Sequence, residues 1–310
     1  MANLEFLNKE KLHTGFGEDL SKVNNYEDLI HTAGLDWEVE ARPVYYKNDQ
    51  GMFVEVPGTK EVVRSVDGKA MGTVTDRYKI VQNSDAFRFV ENLFDQNVKF
   101  IRGGSFRGGK STWLEAKLPN TYKILGDDVD QYLVFKNSHD GKGSILAMIL
   151  PTRIVCSNAL NYALNNASRV WRCMHASTVN DRLEEARNIL LHTERYMGAL
   201  AEEAESLQKI KFTNNDMINL TNALLPYGKQ ATERQKATVD DRRNQLLAVI
   251  NGKDDIQQYG NTAYKFLNAV SDFATHAESR RNTSTANERL FENTITGNFL
   301  MDKAYELVRA

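Results

Sequence analysis

A glycine-rich stretch from Gly104 to Ser111 has the spacing that most directly suggests chemistry. It reads GSFRGGKS and matches G-x-x-x-x-G-K-S/T, the loop that cradles nucleotide phosphates when it joins a strand to the N-terminus of a helix. Only TWLEAKL separates it from Pro119, which leaves little room for that helix. Three interpretations stay open: a nucleotide-hydrolysing loop, a glycine-rich hairpin turn, and a hairpin turn whose Arg107 and Lys110 bind nucleic-acid phosphates without hydrolysis.

Basic and aromatic side chains interleave over residues 77–172. Single-stranded nucleic acid is bound by cations along its backbone and by aromatic rings on which the bases stack. The candidate nucleic-acid-binding residues are Arg77, Tyr78, Lys79, Lys99, Arg102, Arg107, Lys110, Arg153, Arg169 and Arg172. The alternative is that the aromatic residues Tyr78, Phe106 and Trp171 belong to a core or its rim.

The charge distribution favours the same middle segment. Residues 1–96 hold 11 Lys and Arg against 17 Asp and Glu, whereas residues 97–175 hold 11 against 5. The whole chain of 310 residues has a formal net charge of −2. A basic segment in a slightly acidic protein can attract phosphates, although an ordinary solvated basic face would give the same count.

Other residue types give little support for catalysis. The six histidines are scattered, and the three aspartates at 127, 128 and 130 lie in a polar turn that is more typical of a solvated loop than of a metal site. The two cysteines, Cys156 and Cys173, form no C-x-x-C pair, and the apolar surroundings of Cys156 favour a buried thiol. We therefore expect no catalytic residue, no cofactor and no metal.

The location follows from the cysteines and from hydropathy. Two isolated cysteines fit a reducing cytoplasm. The N-terminus MANLEFLNKEKL lacks an apolar signal region, and the longest apolar run, Ile145 to Leu150, is too short to cross a bilayer. We expect no membrane association.

The N-terminal half alternates short strands with two helices. Asp67-Gly68 lies between two extended runs and predicts a hairpin. A helix is expected at 84–94 with Asn83 or Ser84 as its cap, and another at 154–167. The predicted strands are 39–46, 52–56, VKFIRGG, STWLEAKLP, QYLVFKNS and the run SILAMILP.

From residue 178 onward the apolar period is helical. A long amphipathic helix is expected over 178–210, followed by shorter helices at about 214–224, 231–250, 261–278 and 286–309. The fold class is therefore α+β: an antiparallel β-meander with packed helices, followed by an all-helical C-terminal half. The predicted organisation is a lead-in segment at 1–36 with a short helix near Tyr26 to Thr32, an α+β domain with a basic sheet region at 37–177, and a helical domain at 178–310.

Two stretches resemble a known family. GTVTDRYKIVQNSDAFRFVENLF (72–94) and PTRIVCSNALNYALNN (151–166) resemble the phage/plasmid-like protein family, a domain of unknown function found in phages, prophages and plasmids. The resemblance covers most of residues 35–200. It implies a mobile-element context, and with it the cytoplasm of a bacterial host cell, and no particular activity.

A second likeness concerns topology. The order hairpin, short helix, antiparallel strands, helix is similar to the core of ring-forming single-strand annealing recombinases. That likeness would place Arg77 in a DNA groove, with Arg153 and Arg169 as further candidates. This chain differs in its long helical C-terminal half and its acidic first 96 residues.

Three functions of different classes result. The first is non-enzymatic binding of single-stranded DNA by a homo-oligomer, with annealing activity for recombination or replication of a mobile element. The second is inhibition of a host defence protein, in which the acidic segment 1–96 mimics nucleic acid. The third is a P-loop-type NTPase, which depends on Gly104 to Ser111 alone.

Overall fold

The computed structural model describes residues 16–153, 170–176, 185, 189–276, 288, 292 and 299–310. Within them the N-terminal half is built from antiparallel strands and the C-terminal half from helices, which confirms the predicted α+β class. The strands are β1 Glu18–Asp19, β2 Val39–Lys47, β3 Phe53–Arg64, β4 Ala70–Thr75, β5 Lys99–Phe106, β6 Ser111–Ile124, β7 Asp127–Ser138, β8 Ile145–Arg153 and β9 Val170–Cys173.

The main sheet has six strands among the described residues, in the order β1-β5-β6-β7-β8-β9. All its neighbouring strands pair antiparallel, and β5 to β8 follow each other as a meander because short turns join them. The turns after β5 and β7 lie at the same end of the sheet, together with the residues that follow β9. We call this the loop end.

A smaller sheet has the order β2-β3-β4. Its second hairpin turns at Asp67-Gly68 as predicted, since Gly68 takes a positive φ of 69° and Arg64 N–H donates to the Lys69 carbonyl at 2.9 Å. The expected strand at 52–56 extends to Arg64, because its second half pairs with both β2 and β4. The small sheet packs against the loop end: the carbonyl of Asp140 lies only 2.4 Å from where a Cβ on Gly72 would be.

The helices follow the predicted order. They are α1 Tyr26–Thr32, α2 Asn83–Phe87, α3 Ile189–Lys209, α4 Asn214–Leu224, α5 Glu233–Gly252, α6 Asp254–Gln257, α7 Ala263–His276 and α8 Phe299–Arg309. Thr213 and Asp216 form the predicted capping box at the start of α4, and Thr232 and Gln235 form another at α5. The predicted helix at 154–167 and most of 178–188 lie outside the described residues.

One helix differs from the prediction. Residues 84–94 were expected to form one α-helix capped by Asn83 or Ser84, but α2 is short and continues as a 3₁₀ helix, Arg88–Gln96. The N-cap is Gln82, without a side-chain cap bond. The Asn83 side chain is buried and bonds elsewhere, so it does not supply the cap.

The larger core lies between one face of the main sheet and the helices. Leu114, Leu133 and Ile149 of the sheet pack in one cluster with Leu200 of α3 and Leu267 of α7. Removing these side chains from water is the main source of stability, at about 25 cal/mol for each Å² of apolar surface buried. The two halves are also joined by a polar contact, in which the Tyr259 hydroxyl donates to the Asp127 carboxylate.

The other face of the main sheet carries a second, smaller cluster. Its buried part consists of Phe106, Trp113, Val134, Leu146, Met148 and Leu150. Among the described residues, no helix has both the length and the apolar character needed to span a bilayer.

Candidate nucleic-acid interface

The glycine-rich stretch forms the turn between two antiparallel strands. Residues Arg107–Gly109 make a tight turn after β5, and Ser111 begins β6 rather than a helix. Arg107, Gly108 and Gly109 take positive φ values of 53°, 68° and 100°. The strand-loop-helix geometry of a nucleotide-binding loop is therefore missing from these residues, and the hairpin interpretations agree with the structure.

Cations from the small sheet surround this turn. A Cβ on Gly108 would lie 2.1 Å from Lys69 Nζ, and one on Gly109 would lie 3.0 Å from an Arg64 guanidinium nitrogen. The positive φ values at Gly108 and Gly109 are also ones that glycine adopts most readily. The glycines thus let the two sheets meet at the loop end, where Arg107 also lies.

Arg107 is surrounded by carboxylates. Its guanidinium bonds Asp140 Oδ2 at 3.2 Å and Glu292 Oε1 at 3.3 Å, and its backbone N–H donates to Glu288 Oε1. Lys136 Nζ of β7 donates to the same Glu292 oxygen at 2.6 Å. Lys136 was not among the sequence candidates, and neither glutamate was expected here.

Asp140 is fixed as an anion beside this arginine. Burial alone would raise its pKa, but the N–H groups of Lys142 and Gly143, the Ser138 hydroxyl and the Arg107 guanidinium outweigh that effect. The net result is a pKa below the usual value. Asp140 therefore holds Arg107 at the loop end at neutral pH.

Strand register gathers further cations on the face that carries the smaller apolar cluster. Lys99 lies opposite Lys117, Arg102 lies opposite Glu115, and directly opposed residues share a face of the sheet. Across the next strands, Trp113, Lys136, Leu146 and Arg172 form one row. We call this the basic face; its cations are Lys99, Arg102, Lys117, Lys136 and Arg172.

The basic face is apolar in its centre and charged around it. Trp113 and Met148 are wholly buried, whereas Lys99 and Arg172 are exposed at opposite sides of the sheet. Lys117 bonds the Asp130 carboxylate, and Tyr132 lies directly opposite Lys117 on β7. Lys117 and Tyr132 were missed in the sequence, because only the register shows that they share a face with Arg102.

Arg77, Tyr78 and Lys79 lie at the loop end. Lys79 N–H donates to the His175 carbonyl at 3.1 Å, and the Tyr78 hydroxyl donates to the Ser138 carbonyl at 3.0 Å. The Tyr78 ring stacks on the His175 ring with 4.8 Å between centroids. Arg77 and Lys79 are exposed on either side of this anchored tyrosine.

A buried polar cluster supports this arrangement. Asn83 Oδ1 accepts from the Thr112 hydroxyl at 3.0 Å and lies 2.8 Å from His139 Nε2. Burial lowers the pKa of His139 to about 3, and nearby His175 acts in the same direction. His139 is therefore neutral at physiological pH and bonds as a donor to Asn83.

The remaining sequence candidates lie in different places. Lys110 is half-buried beside the turn, and its carbonyl accepts from His139 N–H at 2.9 Å. Arg153 ends β8 opposite Val129, at the far end of the sheet from the loop end. Arg169 lies outside the described residues. The structure thus brings Arg77, Lys79, Arg107 and Lys110 together with Arg172, and leaves Arg153 apart.

The aromatic residues of the middle segment are used in packing. Phe106 stacks on Trp113 with centroids 5.5 Å apart, and both are buried. Trp171 packs against two apolar clusters, and its Nε1 lies 3.4 Å from Glu185 Oε2. This agrees with the interpretation of Phe106 and Trp171 as core or rim aromatics.

Exposed rings occur elsewhere. Tyr45, Tyr46 and Phe53 are 53%, 53% and 74% exposed at the tip of the β2–β3 hairpin. Met52 beside them is 55% exposed. The sequence did not single out this tip, because two tyrosines in a strand are also what a half-buried strand would contain.

These observations define an α+β protein with a two-faced antiparallel sheet, a basic face and a helical C-terminal half. The chain belongs to the DUF932 family, a domain of unknown function, whose model matches residues 70–294. This confirms the resemblance to a family of unknown function. No curated protein matches the chain, and no solved structure matches it.

Within the described part of the chain, no group of three or more His, Cys, Asp and Glu side chains could hold a metal ion. The groups that the site presents are guanidinium, ammonium and backbone N–H donors at the loop end and around the basic face. Such donors bind phosphates and carboxylates.

Proposed function

We propose that this chain is a single-stranded DNA-binding protein of a phage or plasmid, acting without nucleotide hydrolysis in the cytoplasm of its bacterial host. The observation that carries the proposal is the convergence of cations from separate segments on one face and one end of the main sheet. Arg102 of β5, Lys136 of β7 and Arg172 of β9 share the basic face, and Arg107 and Lys79 lie at its loop end.

The physical basis is neutralisation of the DNA backbone. Each phosphate bound by a cation releases counterions, so binding weakens with salt. A single strand can bend to reach cations at the loop end and at the edges of the basic face, whereas a duplex is stiff. Annealing of complementary strands would follow if a homo-oligomer aligned several such sites along one strand.

The test is fluorescence anisotropy of a labelled single-stranded oligonucleotide at low and high salt, with a duplex of the same sequence as a control. We expect salt-sensitive binding that prefers the single strand and weakens in Arg102→Ala and Arg77→Ala. Lys236→Ala is the matched control, because this lysine is on α5 and pairs with Glu233, three residues earlier on the same helix, at 2.8 Å. Wild-type affinity in both arginine variants would exclude this site.

The β2–β3 hairpin favours a second function, inhibition of a host defence protein. Its tip exposes Tyr45, Tyr46, Met52 and Phe53 inside the acidic segment 1–96. Clustered exposed aromatic and Met side chains are typical of protein interfaces. If this function is the true one, Phe53→Ser abolishes protection of a phage against a host defence system and leaves DNA binding unchanged.

A further inference from the structure

Two carboxylates accept hydrogen bonds from the donors at the loop end. Glu292 Oε1 accepts from both Lys136 Nζ, at 2.6 Å, and the Arg107 guanidinium, at 3.3 Å. Glu288 Oε1 accepts from the Arg107 backbone N–H. The glutamates are four residues apart in sequence and more than 150 residues from both cations, so a long-range contact fills this site.

The donors are those that a phosphate uses. A guanidinium, an ammonium group and a backbone N–H converge here on carboxylate oxygens, and the same three kinds of donor bind phosphate oxygens. The left-handed backbone at Arg107 and Gly108 belongs to the turn that presents the N–H. The Lys136 and Glu292 side chains are only 13% and 14% exposed, so their interaction is weakly screened by salt.

We propose that the carboxylates of Glu288 and Glu292 occupy phosphate positions in the nucleic-acid site, so that DNA must displace them from Arg107 and Lys136. This inference rests on the proposed function, since it describes how that site is regulated. The chain then binds single strands more weakly than it would if Arg107 and Lys136 were free of these carboxylates. The acidic phosphate mimic lies in residues 288 and 292 rather than in the acidic segment 1–96.

The test compares Glu292→Gln and Glu288→Gln with the wild type in single-strand binding. Glutamine keeps the shape of the side chain and removes its charge. Glu55→Gln is the matched control, since Glu55 is exposed on β3 far along the hairpin from the loop end. We expect Glu292→Gln to bind a labelled single strand about tenfold more tightly, which corresponds to about 1.4 kcal/mol. Glu55→Gln should change affinity much less.

A double variant tests whether Glu292 acts through Arg107. If the Glu292 carboxylate acts by bonding the Arg107 guanidinium, then Arg107→Ala removes most of the gain in single-strand affinity given by Glu292→Gln. The gain should persist undiminished if the glutamate acts only through the net charge of the protein, and that result would overturn the inference. A gain in Glu292→Gln no larger than in Glu55→Gln would overturn it as well.

Thermal shift with pyrophosphate separates this inference from the proposed function. A ligand that binds only the folded state raises the unfolding temperature, and at a fixed ligand concentration tighter binding gives a larger shift. If no variant binds DNA, the proposed function fails, yet a larger pyrophosphate shift in Glu292→Gln than in the wild type would still support the occupied phosphate site. Equal pyrophosphate shifts in wild type, Glu292→Gln and Glu288→Gln, together with unchanged DNA affinity, would refute it. Glu288→Gln serves if Glu292→Gln fails to fold.

Discussion

The neutral state of buried His139 makes the stability of the fold depend on pH. Burial holds its pKa at about 3 in the folded protein, against 6.5 for an ordinary histidine. Below pH 6.5, His139 binds a proton in the unfolded chain but not in the folded one. The free energy of unfolding that is present above pH 6.5 is therefore lost as the pH falls toward 3. The loss is about 1.4 kcal/mol for each pH unit, or about 2 kcal/mol between pH 7 and pH 5.

Urea unfolding at pH 7 and pH 5 measures this loss. His139→Gln keeps an N–H donor near the position of Nε2 and removes the titration, so its free energy of unfolding should fall about 2 kcal/mol less than that of the wild type between the two pH values. The other titratable groups are common to both proteins and cancel in the comparison. Equal pH dependence in His139→Gln and wild type would refute the reasoning.

Two further predictions concern contacts between parts of the fold. Gly72→Ala would place a Cβ 2.4 Å from the Asp140 carbonyl and should destabilise the protein by about 1–3 kcal/mol. The control Gly198→Ala, with no atom within 4 Å, should not lower the melting temperature measured by differential scanning fluorimetry. An equal effect of the two variants would mean that the two sheets do not meet at Gly72. Tyr259→Phe removes the donor to buried Asp127 and should cost about 1–3 kcal/mol in urea unfolding, and an unchanged midpoint would show that this bond does not join the two halves.

Local signals predicted much of the fold correctly. The helix Tyr26–Thr32, the Asp67-Gly68 turn and the capping box of Thr213 and Asp216 were all predictable, because caps and turns depend on neighbouring residues. The prediction failed at Asn83, an apparent helix cap. Its side chain instead bonds Thr112, 29 residues away, and no local pattern contains that information.

The candidate site was only partly predictable for the same reason. Charge counts identified the middle segment, and glycine spacing identified the turn that holds Arg107. Lys117 and Lys136 share a face with Arg102 only through strand register, which the sequence did not specify. The pairing of Lys136 with Glu292 spans 156 residues.

The salt dependence of single-strand binding tests the central claim most directly. The affinity of the wild type should fall with salt, with a slope of log affinity against log salt of about −0.7 for each phosphate bound. Removing Arg102 and Arg172 together should lower both the affinity and the steepness of this slope, because two cations of the basic face are lost. A wild-type chain that does not bind single strands at low salt, or a double variant with the same slope as the wild type, would contradict the account.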